Sequence, residues 1–197
     1  MISVIGSTPF GDFVNLNKGL LEKIFGSNIL KKKINLFVIN NEGVIDSSKT
    51  NKKNEDDVII YIVNKVNKKN INKKYLISTI FYPIKPHEFL SSIESITIAQ
   101  LLKKYGLLVE NNVVTNLKND KKINLTNTEM QILNLLVLCS RVERKFLEKK
   151  VLNFKNEIFS NSLDSHLVRL RKKIRQLNEN IEITSKESKH INISLST

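Results

Sequence analysis

Apolar positions along this chain follow two rhythms. In the first hundred residues short β-branched runs, ISVI (2–5), INLFVI (34–39), VIIYIV (58–63) and YLISTIFY (75–82), stand between polar stretches rich in Asn and Lys. None alternates strictly, which marks strands buried on both faces, and such strands pair in parallel under covering helices. Between the first two runs Phe13, Leu16, Leu20, Ile24 and Phe25 fall on one side of a helix, as a βαβ crossover requires. After Pro83 and Pro86 a second helical pattern runs to about Tyr105 with Phe89, Leu90, Ile93, Ile96 and Leu101 inward. Gly106 then stands where a left-handed C-terminal cap would. The connections 41–57 and 64–74 are short and polar, so helices there are abbreviated or absent.

From Leu107 the pattern changes. In LLVENNVVTNLKNDKKINL, β-branched runs are separated by Asn-Asn and Asn-Asp, the turn chemistry of an antiparallel meander. Thr126 followed by Glu129 forms a capping box, and Leu125 with Met130 a hydrophobic staple around it, opening a largely apolar helix from Asn127 to about Leu138. A shorter helix is expected from about Glu143 to Leu152, then the loop Asn153 to Asn161, then a helix over SNSLDSHLVRLRKKIRQL (160–177). IEIT and INISL around SKESKH close the chain as a hairpin with a basic tip.

On a helical wheel Leu163, Leu167, Leu170, Ile174 and Leu177 share a narrow core-facing arc. Opposite lie Ser165, Val168, Arg169, Lys172 and Gln176, with Asp164, Arg171 and Arg175 on one flank and His166 and Lys173 on the other. A face that mixes cations with small uncharged residues can reach a major-groove floor while its flanks touch phosphate. The wheel alone does not separate that from a solvated face, and net charge helps little. The +13 excess of the 197 residues is shared evenly by the two halves, and heavy use of Lys, Asn and Ile points to an AT-rich coding sequence. Charge favours a polyanionic partner without locating its site.

Order decides. A meander, a capped apolar helix, a short helix, a loop, a basic helix and a basic-tipped hairpin are the parts of a winged helix. LTNTEMQILNLL resembles the opening of the OmpR/PhoB-type effector domain, RVERKFLEKKV its second helix and SNSLDSHLVRLRKKI its recognition helix. The resemblance spans Leu107 to about Ile193 and implies promoter DNA as ligand and transcription regulation as role. It places base contacts on Asp164, Ser165 and Arg169 and backbone contacts on His166 and Arg171; the wheel adds Lys172, and the hairpin adds Lys186 and Lys189. Two departures stand out. Val168 occupies a position where the family usually has Arg, and SKESKH lacks the Gly-x-Gly turn and aromatic of the usual wing. The loop Asn153 to Asn161 corresponds to one that can touch RNA polymerase in the family.

Such effectors usually follow a receiver domain, a flavodoxin-like α/β unit phosphorylated on an aspartate. FYPIKPHEF resembles the receiver's fifth strand and final helix, with Lys85 at the lysine position. The acidic pair that would hold Mg²⁺ falls on Gly6 and Ser7, the acceptor on Asn40 and the switch hydroxyl on Ile62. An amide forms no acyl phosphate, and a metal ion has no carboxylate to hold it there. A second strand is hard to find between Phe25 and Ile34, so the sheet is expected to be truncated. The expected organisation is a truncated receiver-like α/β domain over 1–105, followed by an α+β winged-helix domain over 106–197. The first would dimerise through 75–105.

The function expected is phosphorylation-independent, sequence-specific regulation of transcription by a homodimer on double-stranded promoter DNA in a bacterial cytoplasm, with RNA polymerase as a possible further partner. A second reading stays open: an adaptor whose winged helix binds polymerase or another regulator instead of DNA. No enzyme, cofactor or metal site is expected. His87, His166, His190 and Cys139 form no ligand cluster, and Cys139 ends an apolar helix as a core residue would. No apolar run approaches the roughly 18 residues of a membrane span.

Overall fold

The computed structural model describes residues 2–5, 19, 34–39, 58–64, 78–152, 162–186 and 189–195. The chain divides into two compact units, Met1–Gln100 and Leu101–Thr197.

The first unit is built on four parallel strands, β1 (Ile2–Ile5), β2 (Ile34–Ile39), β3 (Val58–Asn64) and β4 (Thr79–Tyr82), in that order across the sheet. The order is that of a flavodoxin-like sheet, 2-1-3-4-5, once its second strand is left out. No strand is described between β1 and β2. β3 is buried from Val58 to Val63 on both faces, which accounts for a run with no polar alternation. The helical pattern expected at Phe13 to Phe25 and the connections 41–57 and 65–74 lie outside the described residues.

Helix α1 (Pro86–Lys104) begins in the first unit and ends in the second. Phe89, Ile93 and Leu101 are buried as expected, joined by Thr97, while Leu90 and Ile96 are only half-buried. Its Gln100 repairs the edge of β3. β4 starts opposite Tyr61, so the N–H and C=O of Ile59 have no strand partner on that side. The Gln100 amide takes their place, accepting from Ile59 N at 3.2 Å and donating to Ile59 O, and it also donates to Ser78 Oγ at 3.1 Å. Ser78 is therefore in a turn, and the strand expected over 75–82 narrows to Thr79–Tyr82, with 75–77 outside the described residues.

In the second unit β5 (Leu107–Glu110), β6 (Val113–Asn116) and β7 (Lys122–Asn124) form the antiparallel meander. Gly106, at φ 69°, takes the left-handed conformation before β5. Asn111 and Asn112, at φ 49° and 65°, make a two-residue turn with both residues left-handed, which matches the twist of the flanking strands. Asn116 is buried and donates Nδ2 to Leu177 O at 2.7 Å.

Helix α2 (Asn127–Cys139) has both halves of its capping box: Thr126 Oγ1 accepts from Glu129 N at 3.2 Å, and Glu129 Oε2 accepts from Thr126 N at 2.8 Å. Leu125 and Met130 are buried, as a staple needs, and so is Cys139. A three-residue strand, β8 (Arg141–Glu143), then precedes α3 (Arg144–Val151). This corrects the expected helix start at Glu143. Val142 is buried between two exposed neighbours, and the segment pairs antiparallel with residues 190–192, a partner that a local pattern does not reveal. Helix α4 (Ser162–Leu177) and the hairpin β9 (Ile181–Lys186) and β10 (His190–Leu195) complete the unit, with sheet order β8-β10-β9.

Candidate nucleic-acid interface

Helix α4 is anchored by the arc expected for it. Leu163, Leu167, Leu170, Ile174 and Leu177 are each at most 1% exposed. Burying residues of this size stabilises by about 1.5–3 kcal/mol apiece, so the helix has one way to face the core and its outer surface is fixed. On that surface Ser165, Val168, Arg169, Lys172, Arg175 and Gln176 are exposed.

Two flanking residues are already engaged within the domain. Arg144 holds Asp164 in a two-pronged contact, Nη1 to Oδ1 at 2.9 Å and Nη2 to Oδ2 at 2.6 Å, while its Nε donates to Glu148 Oε1 at 3.1 Å. The hydrogen bonds from Arg144 hold the Asp164 carboxyl below its usual value against a smaller effect of burial, and Asp164 raises the Arg144 guanidinium in turn. Asp164, expected to read a base, thus has both oxygens on an arginine. Arg171, expected to touch phosphate, donates Nε to Ile183 O at 2.8 Å and Nη2 to Ser185 Oγ. It fastens the first wing strand to α4.

Lys173 is also turned inward. Its ammonium donates to Glu129 Oε2 at 2.7 Å and to Asn124 O at 3.0 Å, joining α4 to the cap of α2 and to the meander. Burial pushes the Glu129 carboxyl up, but Lys173 and the Thr126 cap together outweigh it and leave the group below its usual value. His166 is half-buried, and its Nδ1 is enclosed without a hydrogen-bond partner among the described residues, so a phosphate contact would fall to Nε2.

The wing is tied to the helical part along its second strand: Arg144 N donates to Lys189 O at 2.8 Å and Ile193 N to Ser140 O at 3.0 Å. Lys189 is exposed; the tip residues 187 and 188 and the Lys186 side chain lie outside the described residues, as does the loop 153–161.

A family model described as transcriptional regulatory protein, C-terminal, matches residues 120–188. The match lies within the C-terminal unit, in the stretch whose sequence resembles an OmpR/PhoB-type effector domain. No curated protein matches the chain in sequence. Among solved structures, one described as a novel family of redox sensors in the streptococci, evolved from two-component response regulators, is similar at 14% identity and TM-score 0.37. That alignment covers 99% of this chain and 98% of the other. The response regulator DrrB of Thermotoga maritima, an OmpR/PhoB homologue, is similar at 13% identity and TM-score 0.36, with 100% of this chain and 78% of the other covered.

At the receiver-like end, Gly6, Ser7 and Asn40 lie outside the described residues. Ile62 is wholly buried within β3, paired with Val38 and Ile80, and the strand runs on to Asn64 opposite Tyr82. Ile62 is thus followed by two further residues of β3, which ends on Asn64, an amide and not a hydroxyl. Lys85 is exposed, and its carbonyl accepts from Phe89 N at 2.9 Å at the start of α1. Among the described residues no helix is long and apolar enough to cross a membrane.

Proposed function

We propose that the chain is a sequence-specific DNA-binding transcription regulator that acts without aspartate phosphorylation. The observation that carries this reading is the outer face of α4. Its apolar arc is fully buried within a domain of the transcriptional regulatory family, and Ser165, Arg169 and Lys172 are left exposed on one helical surface. Arg169 is the principal base reader, since a guanidinium bonds bidentately to guanine. Ser165 and Lys172 assist, His166 and Lys189 meet the backbone at the edges, and Lys186 does so from the wing. Asp164 serves through Arg144 as a positioning residue, and Arg171 through β9.

Phosphorylation independence is supported by residue chemistry. Gly6 and Ser7 supply no carboxylate for Mg²⁺, Asn40 accepts no phosphoryl group, and neither Ile62 nor Asn64 carries a hydroxyl. The domain of residues 1–105 then serves association. A homodimer through 75–105 would use β4, one of the two edge strands of the described sheet, together with α1, and would read two half-sites about one helical turn apart. RNA polymerase is a further partner in this reading, and the cytoplasm its setting.

The test is a selection of genomic fragments by the purified chain without acetyl phosphate, followed by titration of the best fragment against random DNA. Arg169→Ala should reduce that preference by about 5- to 150-fold, the range of one bidentate base contact at about 1–3 kcal/mol. Equal binding to every sequence, unchanged by the substitution, would reject the reading. Partner capture insensitive to salt, without DNA affinity, would favour an adaptor.

A further inference from the structure

We propose that Val168 is a specificity-determining residue that reads the 5-methyl group of thymine in the major groove. The proposal rests on the DNA-binding reading above and deepens it by naming the base feature that one side of the helix takes. Among the described residues three large hydrophobic side chains are exposed, Leu117, Val168 and Leu195, and Val168 is the most exposed of them at 60%. It sits on the outer face of α4, one turn after Asp164 and Ser165 and one turn before Arg171 and Lys172.

Local structure offers no reason for valine there. A β-branched residue is a poorer helix former than Lys, Arg or Gln, and the core arc on the opposite side is complete without it. The same branching suits contact, because valine in a helix is held in one dominant rotamer and its methyl groups occupy a fixed place before any ligand arrives.

Two of the charges beside it are drawn away. Asp164 is held by Arg144, and Arg171 is held by Ile183 O and Ser185 Oγ. The side of α4 around Val168 therefore presents an apolar surface flanked by satisfied groups, while exposed Arg169, Lys172 and Arg175 supply the positive potential that a duplex requires. Of the features on the major-groove floor, the thymine methyl is the one that apolar contact recognises. The exposed face then carries a complementary set: a guanidinium for guanine, a hydroxyl for either kind of edge, and a valine for thymine.

The probe is the best duplex from the genomic selection, compared with the same duplex carrying deoxyuridine for thymine, which removes only the methyl groups. The full-length chain should bind the thymine duplex about fourfold more tightly, the factor for burying one methyl-sized group. In Val168→Ser the thymine-to-deoxyuridine ratio should fall to about one, with the affinity for the deoxyuridine duplex and the thermal melting of the protein unchanged. Taking the ratio of ratios cancels any change that deoxyuridine makes to DNA shape. Equal binding of the two duplexes by the unaltered protein, or an undiminished ratio in Val168→Ser, overturns the assignment. A selection that retains no fragment overturns both this assignment and the DNA-binding reading. A retained, Arg169-dependent fragment with no methyl dependence overturns the valine assignment alone.

Discussion

Replacing Lys173 with Met tests whether α4 is locked to the rest of its domain by charge. The Glu129 side chain is 1% exposed, and its Oε2 is shared between the Lys173 ammonium and the Thr126 N–H. Its Oε1 has no partner among the described residues, so Lys173 is the cation that makes this buried carboxylate tolerable. Removing one member of a buried pair costs about 3–5 kcal/mol. The lower end applies, because Lys173 is 32% exposed and the Thr126 hydrogen bond survives. For a domain of this size about 3 kcal/mol lowers Tm by roughly 12–24 °C, measurable by calorimetry as a shift of one unit's transition.

The pH dependence separates lost charge from lost packing. In the unaltered protein Glu129 is depressed on folding, so its contribution is complete above the unfolded value of about 4.3 and is lost only as pH falls through the lower folded value. In Lys173→Met the burial effect is left without its counter-charge and the folded value rises above the unfolded one. Stability of the variant then recovers as pH falls from neutral through the raised folded value toward the unfolded value of about 4.3, while that of the parent stays level, and the difference between them shrinks. A destabilisation below about 1 kcal/mol, or one equal at both ends of that range, would refute the argument.

Arg171→Ala should destabilise the wing by about 1–3 kcal/mol, seen as faster amide exchange in β9, and leave the salt dependence of DNA binding unaltered. A fall in the log–log salt slope of about 0.9 with β9 exchange unchanged would return Arg171 to phosphate contact. Asp164→Asn should cost at most about 1 kcal/mol at neutral pH, because the pair is half-exposed. That cost should disappear as pH falls below the unfolded value of about 3.9 toward the lower folded one, and a loss that persists there would contradict the ion-pair account.

Much of the fold could be read from local pattern, because local physics sets it. The arc of α4, the capping box at Thr126, the left-handed Asn-Asn turn and the two-sided burial of VIIYIV each depend on residues within a turn or a strand of one another. What escaped depends on partners far along the chain. β8 is three residues long and exists through pairing with β10, some fifty residues on. Gln100 was an ordinary polar helix residue until β3 lacked a neighbour at Ile59. Asp164 and Arg171 share one flank of the helical wheel, but a wheel gives direction and not what lies there. One signal was available: Arg144 opens a helix, where the macrodipole disfavours a cation, which points to a carboxylate outside that helix.

These engagements also change what the charge of α4 means. Arg169, Arg171, Lys172, Lys173 and Arg175 make it one of the most basic stretches of the sequence, yet two of the five are committed inward, Arg171 to β9 and Lys173 to Glu129. Both hold elements whose position sets where α4 and the wing present themselves, so their cationic character serves geometry. The exposed cations of the outer face are Arg169, Lys172 and Arg175, and on the proposed reading Arg169 would be drawn toward a base. At a slope of about 0.9 per phosphate neutralised, the helix alone would then supply only modest salt-dependent affinity for a duplex. In the proposed reading specificity would come from the set around Ser165, Val168 and Arg169, and firm occupancy from a second half-site held by a partner protomer.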